Sequence, residues 1–242
     1  MQAVILSAGE GTRLRPLTNT LPKVMVPIQG KPLLQWHIEH VRKFGIREIL
    51  INLHYLPNII TDYFKDGEKF GVKIIYSYEE KLLGSGGALL PFKRYITDTF
   101  FLLYGDVFTN ININKLEKFH RGKKAEVSIV VRKTDHPKDS DLVAFSDELR
   151  VINFYFKPHE KLPTTMYGLA AIYMFDPTVL QLLPQQSPYD LARDFLPKIY
   201  KDNRAIFCYN TEAFIKDIGT ESRYNHVLEL LKNDYFKNTS SD

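Results

Sequence analysis

The chain is predicted to be α/β, with a mostly parallel, mixed sheet carrying helices on both faces. Three observations predict this: short apolar runs that end abruptly at glycine or polar turns, helical apolar spacing between those runs, and a composition able to fill a sizeable core. The 242 residues are 44% apolar and 25% charged, the balance of a well-cored protein, which excludes intrinsic disorder and collagen-like repetition. The length suits one large domain or a domain with an appendage.

The elements follow in order. Ala3 to Leu6 is a short apolar run broken at once by a glycine-bearing loop, which reads as a buried strand. Pro32 to Phe44 places Leu33, Leu34, His37, Ile38, Val41 and Phe44 at helical spacing, and Gly45 stops it. Ile49 to Leu53 is a second strand, Pro57 to Phe64 a second helix, Val72 to Tyr76 a third strand, and Phe100 to Tyr104 a fourth. Between the last two, Gly84-Ser85-Gly86-Gly87 turns the chain into Ala88-Leu89-Leu90. Alternating strands and helices, with near-continuous apolar strands, give a parallel sheet covered on both sides. Ligands in such sheets bind outside the carboxyl ends of the strands. The loops after Leu6, Tyr76 and Tyr104 are therefore expected to face one crevice. The rhythm changes near residue 124: Glu126 to Val131, Leu142 to Phe145, Val151 to Phe156 and Gly168 to Phe175 read as strands. Helices return at Tyr189 to Tyr200 and Glu221 to Phe236, and Asn238 to Asp242 reads as a frayed tail. The second part is expected to extend the sheet or to pack a small lobe over the crevice.

Charge narrows the partners. Thirty-two basic and 28 acidic residues leave a net +4, and the densest basic cluster, Arg121, Lys123 and Lys124, is too short for a nucleic-acid arm. A mildly basic surface suits an anionic small substrate. The one cysteine, Cys208, excludes an internal disulfide and a thiolate zinc site. No stretch approaches the roughly 18 apolar residues of a membrane span. The start, Met1 to Leu6, has no basic region and too short an apolar run for a signal peptide, so the expected compartment is the cytoplasm.

The chemistry concentrates in Gly9-Glu10-Gly11-Thr12-Arg13-Leu14-Arg15-Pro16, directly after the first strand. Two glycines let backbone amides turn toward one point and form a phosphate nest. Arg13 adds a planar donor fork, Thr12 a hydroxyl, and Lys23 a second point charge for a polyphosphate. Two phosphate motifs fail. A dinucleotide fingerprint wants glycine where Leu14 stands, and the Gly-Lys-Ser/Thr of a Walker loop is absent. The loop taken alone also matches an ordinary glycine turn with solvated arginines. Asp106, closing a buried strand, and Asp217, before a Gly-Thr turn, are candidate Mg²⁺ ligands, since Mg²⁺ takes one or two carboxylates plus phosphate oxygens. A turn or helix-cap role is the competing reading for each.

The string as a whole decides between these readings. Leu6-Ser7-Ala8-Gly9-Glu10-Gly11-Thr12-Arg13-Leu14-Arg15-Pro16, with Pro22-Lys23-Val24-Met25-Val26-Pro27 and Gly30-Lys31-Pro32, resembles the signature of the sugar-1-phosphate nucleotidyltransferases. The resemblance continues in family order through Glu80, Leu83 to Ala88, Gly105-Asp106-Val107, Lys157-Pro158 and Asp217-Ile218-Gly219-Thr220, and covers essentially the whole chain. It is most similar to the mannose-1-phosphate and D-glycero-D-manno-heptose-1-phosphate guanylyltransferases. The N-acetylmuramate-1-phosphate uridylyltransferases are also close.

The resemblance implies one Rossmann-like domain over residues 1–242, nucleotide-binding to about 124, with a small sugar-binding lobe from about 125 on. It implies a Mg²⁺-dependent enzyme joining an NTP, GTP favoured, to a sugar 1-phosphate, with Arg13 and Lys23 catalytic. It assigns Leu6, Ala8, Gly9, Gly11, Thr12, Glu80, Gly84 and Ser85 to the nucleotide, Lys157 to the sugar phosphate, and Asp106 and Asp217 to the metal. No nucleic-acid or membrane partner is expected; a homo-oligomer is compatible with this reading. Two sugar-side positions depart from the family: Phe156 stands where many relatives have Glu, and Leu169 where many have Asn. These apolar residues leave open a catalytically silent NDP-sugar-binding relative, against which stand the retained Arg13, Lys23, Asp106 and Asp217. A nicotinamide oxidoreductase ranks last, because Asn52 stands where an acidic ribose contact belongs.

Overall fold

The computed structural model describes residues 1–232. In chain order its elements are β1 (Gln2–Leu6), β2 (Pro27–Ile28), β3 (Lys31–Pro32), α1 (Leu33–Lys43), β4 (Glu48–Leu53), α2 (Pro57–Phe64), β5 (Lys73–Tyr78), α3 (Gly84–Gly87), β6 (Phe100–Tyr104), β7 (Val107–Thr109), α4 (Ile113–Gly122), β8 (Val127–Lys133), β9 (Leu142–Phe145), β10 (Val151–Tyr155), β11 (Tyr167–Phe175), α5 (Leu196–Lys201), β12 (Ile206–Asn210), β13 (Ile215–Asp217) and α6 (Glu221–Lys232).

The chain forms two compact units. The first comprises Met1–Leu82, Leu102–Ile113 and the chain from Ala213; the second comprises Leu83–Phe101 and Asn114–Glu212. The sequence reading placed a single change of rhythm near residue 124. The two units interleave: the chain leaves the first at residue 83, returns to it over 102–113 with β7, and comes back at 213 to pair β13 with β7.

In the first unit β1, β4 and β5 are parallel, with Ile5 opposite Ile51 and Ile51 opposite Tyr76. Ala3, Val4, Ile5, Ile49, Leu50 and Ile51 are wholly buried, the two-sided burial that makes parallel strands continuous apolar runs. Helix α1 buries Leu33, Leu34, His37, Ile38 and Val41, the stripe its spacing predicts. A second core gathers Leu14, Val26, Ile28, Leu33, Phe108, Ile218, Tyr224, Val227 and Leu231. It anchors the glycine loop, β7, the residue after β13 and α6 to one apolar floor.

In the second unit β8 pairs antiparallel with β11 and parallel with β12. Strand β9 pairs antiparallel with both β10 and β11. The sheet is thus parallel in the first unit and mixed in the second, as the fold class requires.

Some elements differ from expectation. The helix expected over 189–200 is present as a wider π-helical stretch at Leu191–Phe195 that runs directly into α5. The Asp190 carboxylate accepts from the Ala192 and Arg193 amides at 2.8 Å each and starts the turn there. Elements β2, β3, β7, α4, β12 and β13 have no counterpart in the sequence reading. The expected helix end at Phe236 and tail at Asn238 to Asp242 lie outside the described residues. Among the described residues, no helix is long and apolar enough to cross a membrane.

Candidate active site

The carboxyl ends of the first unit's strands are stitched together by buried polar groups. The Ser7 amide donates to Asn52 Oδ1 at 2.7 Å, and Asn52 Nδ2 donates to Glu79 Oε1 at 2.8 Å. All three side chains are buried, so this chain of bonds sets the loop after β1 relative to those after β4 and β5. His54 Nδ1 donates to the Glu79 carbonyl at 2.7 Å. Glu80, assigned to nucleotide by resemblance, is exposed, while its neighbour Glu79 turns inward.

The glycine loop follows. Gly11 has φ +66°, and a Cβ there would meet the stem of Lys23 and Thr18 Cγ2 at 3.0 Å each, so glycine lets Lys23 pack against the loop. Thr18 Oγ1 donates to the Gly11 carbonyl at 2.8 Å, and Tyr55 Oη donates to the carbonyls of Thr18 and Asn19. Leu14 points into the core while Thr12 and Arg13 stay exposed on the same short turn. Gly9 is exposed, and a Cβ there would meet nothing within 4 Å, so the fold itself does not impose glycine at this position. Leu6 ends β1 half-buried, and Ala8 is buried beneath the loop.

The two aspartates come together through backbone pairing. Strand β13 runs antiparallel to β7 with Asp217 opposite Val107, and the Ile218 amide donates to the Asp106 carbonyl at 2.9 Å. The Gly105 amide donates to the Leu6 carbonyl at 2.8 Å, which seats Asp106 at the end of β1. A Cβ on Gly105 would lie 2.6 Å from that carbonyl and 2.7 Å from Val24 Cγ1. His37 Nε2 donates to the Gly105 carbonyl at 3.0 Å. Burial pushes the His37 pKa down to about 4 despite that bond, so this support is neutral, as expected for a packed core histidine.

Cations complete the group. Lys23 Nζ lies 2.5 Å from Asp106 Oδ2. A Cβ on Gly219 would meet Asp217 Oδ1 at 2.8 Å, Arg13 Nη2 at 3.3 Å and Lys23 Nζ at 3.4 Å. Arg13, Lys23, Asp106 and Asp217 therefore converge over Gly219. Arg223 Nη1 donates to both Asp217 oxygens, at 2.7 and 2.8 Å, and the Gly219 amide donates to Oδ1 at 3.0 Å. Burial works to raise the Asp217 carboxyl, but Arg223, the Gly219 amide and the Lys23 charge together hold it below the usual carboxylate range.

Asp106 and Asp217 are the side chains here able to take a divalent cation. No cluster of three His, Cys, Asp or Glu residues able to hold a metal occurs among the described residues. Two carboxylates with remaining positions left to phosphate and water fit Mg²⁺ rather than a metal needing a full protein cage.

The second unit holds the other predicted residues. Gly84 to Gly87 is clasped by the segment around Tyr189: the Tyr189 amide donates to the Leu83 carbonyl and the Gly86 amide to the Tyr189 carbonyl, each at 3.1 Å. A Cβ on Gly86 would collide with the Tyr189 ring. Ser85 Oγ donates to Asp190 Oδ2 and accepts from the Leu191 amide, both at 2.8 Å. Lys157 is exposed and gives its amine to the Asp139 carbonyl at 2.8 Å. Around it Arg193 grips Asp141 at 2.8 and 3.3 Å and lies over the Phe156 ring, which stacks on Phe154. The Leu169 amide donates to the Asp141 carbonyl at 3.0 Å.

Sequence reasoning missed Asn52, Glu79, Gly219, Arg223, Asp141 and Arg193 as members of these arrangements. Gly219 and Arg223 flank Asp217 closely enough to have been flagged. The partners of Asn52 and Asp141 are remote in the chain and carried no local signal.

A family model described as nucleotidyl transferase matches residues 2–233. The chain belongs to this family. It is 34% identical to a UTP–glucose-1-phosphate uridylyltransferase of Synechocystis sp., over 98% of this chain and 65% of that protein. It is 32% identical to the D-glycero-alpha-D-manno-heptose 1-phosphate guanylyltransferase of Campylobacter jejuni, over 94% of this chain and 99% of that protein. A mannose-1-phosphate guanylyltransferase of Mycobacterium tuberculosis is 31% identical, with 91% and 61% covered. The chain thus spans less than two thirds of the uridylyltransferase and the mannose-1-phosphate enzyme, and nearly all of the heptose enzyme. In fold it is similar to a UDP-glucose pyrophosphorylase complexed with UDP-glucose, with TM-score 0.81 at 19% identity over 98% of both chains. HddC from Yersinia pseudotuberculosis gives 0.80 at 24% identity, over 95% of this chain and 99% of that one.

Proposed function

We propose that this nucleotidyl transferase moves a nucleoside monophosphate from an NTP to a sugar 1-phosphate, with GTP and a mannose- or manno-heptose-type sugar as the preferred pair. The observation that carries the reading is the convergence of Arg13, Lys23, Asp106 and Asp217 over Gly219.

A sugar phosphate is already ionised, so its oxygen attacks the α-phosphorus without a protein nucleophile. The new bond joins that oxygen to the α-phosphorus, and the bond from the α-phosphorus to the bridging oxygen breaks, releasing pyrophosphate. What the protein supplies is positioning and charge neutralisation. Arg13 and Lys23 hold the triphosphate and offset charge on the departing pyrophosphate. When bound at Asp106 and Asp217, Mg²⁺ supplies further neutralisation of the phosphate oxygens. The amides from Leu6 to Thr12 line the phosphates, and the bare Cα of Gly9 leaves room for their close approach. Gly84, Ser85 and Glu80 are proposed to border base and ribose, and Lys157 to anchor the sugar phosphate.

The match to a heptose guanylyltransferase along almost its full length supports GTP. The 34% identity to a uridylyltransferase supports UTP as a second reading. The test is pyrophosphate release with Mg²⁺, crossing the four common NTPs with mannose, glucose, N-acetylglucosamine, N-acetylmuramate and manno-heptose 1-phosphates. Turnover with GTP and a manno-type sugar is expected, and turnover with UTP alone would establish the second reading. Silence in every pair, with nucleotide still bound, would replace the transferase by a nucleotide-binding regulator.

A further inference from the structure

Arg223 stands on the first turn of α6, and its backbone position is fixed. The next residue, Tyr224, bonds to the Pro27 carbonyl at 2.6 Å, and Val227 and Leu231 pack in the core. From that base a single nitrogen, Nη1, bridges both oxygens of Asp217. Lys23 Nζ likewise sits on Asp106 Oδ2. Each carboxylate proposed to take the metal is therefore already held by a cation of the same unit. Arg13, Lys23 and Arg223 against Asp106 and Asp217 is three positive charges against two negative, a local balance of +1. Such a balance repels a bare divalent cation and attracts a metal–triphosphate complex, whose net charge is negative.

We propose that Arg223 is a positioning residue that guards Asp217, so that the divalent metal loads with the nucleotide rather than ahead of it. This inference rests on the proposed nucleotidyl-transfer reading. Arg223 competes with the metal for the same two oxygens, and the triphosphate supplies the negative charge that lets the metal displace it. Lys23 plays the matching part at Asp106, and its amine turns to the phosphates as they arrive.

The test uses Mn²⁺ alone as the probe, with free Mn²⁺ counted by electron paramagnetic resonance in the full-length protein at low ionic strength. Without nucleotide, Arg223→Gln is expected to bind Mn²⁺ about three- to tenfold more tightly than wild type. Arg223→Lys, which keeps the charge, is expected to stay within about twofold. Asp217→Asn placed in the Arg223→Gln background is expected to remove the gain. With a non-hydrolysable GTP analogue, the difference between wild type and Arg223→Gln should shrink. Mn²⁺ binding that depends on Asp217 but is unchanged or weakened in Arg223→Gln overturns the guard while leaving the metal site standing. Mn²⁺ uptake indifferent to Asp217→Asn, with and without nucleotide, overturns the metal reading and the guard with it. Arg223 is partly exposed on the surface, and a melting curve for each variant separates altered binding from lost folding.

Discussion

Both units pair their polar groups internally, but they gather them differently. In the first, Arg13, Lys23, Asp106 and Asp217 form a compact charged group held by a β-ladder and by glycines that permit close approach. In the second, Ser85, Lys157, Asp141 and Arg193 bond within their own unit, and Phe156 lies flat under the Arg193 guanidinium. On the proposed reading, the difference separates chemistry from sugar selection. Neutralising a triphosphate needs particular charges at one point and tolerates little variation. Recognising a sugar needs donors and acceptors aimed outward, and an apolar Phe156 or Leu169 cannot replace bonds to its hydroxyls.

Substitutions can break this contrast, and the largest effect belongs to the charged group. Asp106→Ala is expected to lower kcat by more than about a thousandfold in pyrophosphate release, with an unchanged circular dichroism spectrum. Wild-type rates would remove Asp106 from the site. Arg13→Ala should lower kcat by about 10²–10³-fold, or about 3–4 kcal/mol, because its charge acts on the departing pyrophosphate. A rise in KM with kcat preserved would make it a binding residue only.

The loop's anchor comes next. Leu14 is fully buried beneath it, and Leu14→Ala is expected to cost about 3 kcal/mol in urea denaturation. A cost under about 1 kcal/mol would show that the loop holds its place without this contact.

Acid sharpens the comparison in another way. Burial lowers His37, His40 and His120 to about 4 from an ordinary 6.5. Between those values the unfolded chain takes up protons that the folded one refuses, so stability is complete above about pH 6.5 and falls as pH drops toward 4. A loss on the order of 4 kcal/mol by pH 5.5, roughly 1.4 from each of the three histidines, is expected from thermal unfolding. His37 and His40 lie in the first unit and His120 in the second, so hydrogen exchange should loosen the first unit more. A flat melting temperature over this range would mean the folded histidines take up protons as readily as those of the unfolded chain.

Smallest is the sugar side. Phe156→Glu is expected to change KM for the sugar 1-phosphates by about tenfold, roughly 1.4 kcal/mol, while KM for the NTP stays put. Equal changes in both would place Phe156 outside sugar selection.

Much of this was legible in the chain itself. The strands at Ala3 to Leu6, Ile49 to Leu53 and Phe100 to Tyr104 announced themselves because burial on both faces demands unbroken apolar runs. The glycine loop was legible because its residues, taken as a string, resemble the family signature at successive positions. By contrast, β7 and β13 are three residues each; so short a strand has no period to read, and its partner lies far along the chain. The inward turn of Glu79 was equally hidden, since it depends on Asn52 across the sheet.

The sequence alone determined the fold class, the family resemblance and the identities of the four charged residues, because periodicity and local motif chemistry are properties of neighbours in the chain. Tertiary structure decided which charges meet. The return of the chain at Ala213 sets Asp217 beside Asp106, and the start of α6 puts Arg223 on both its oxygens. Those pairings depend on strand register and on close backbone approach at Gly105 and Gly219, and the only local trace of such long-range contacts was the presence of glycine.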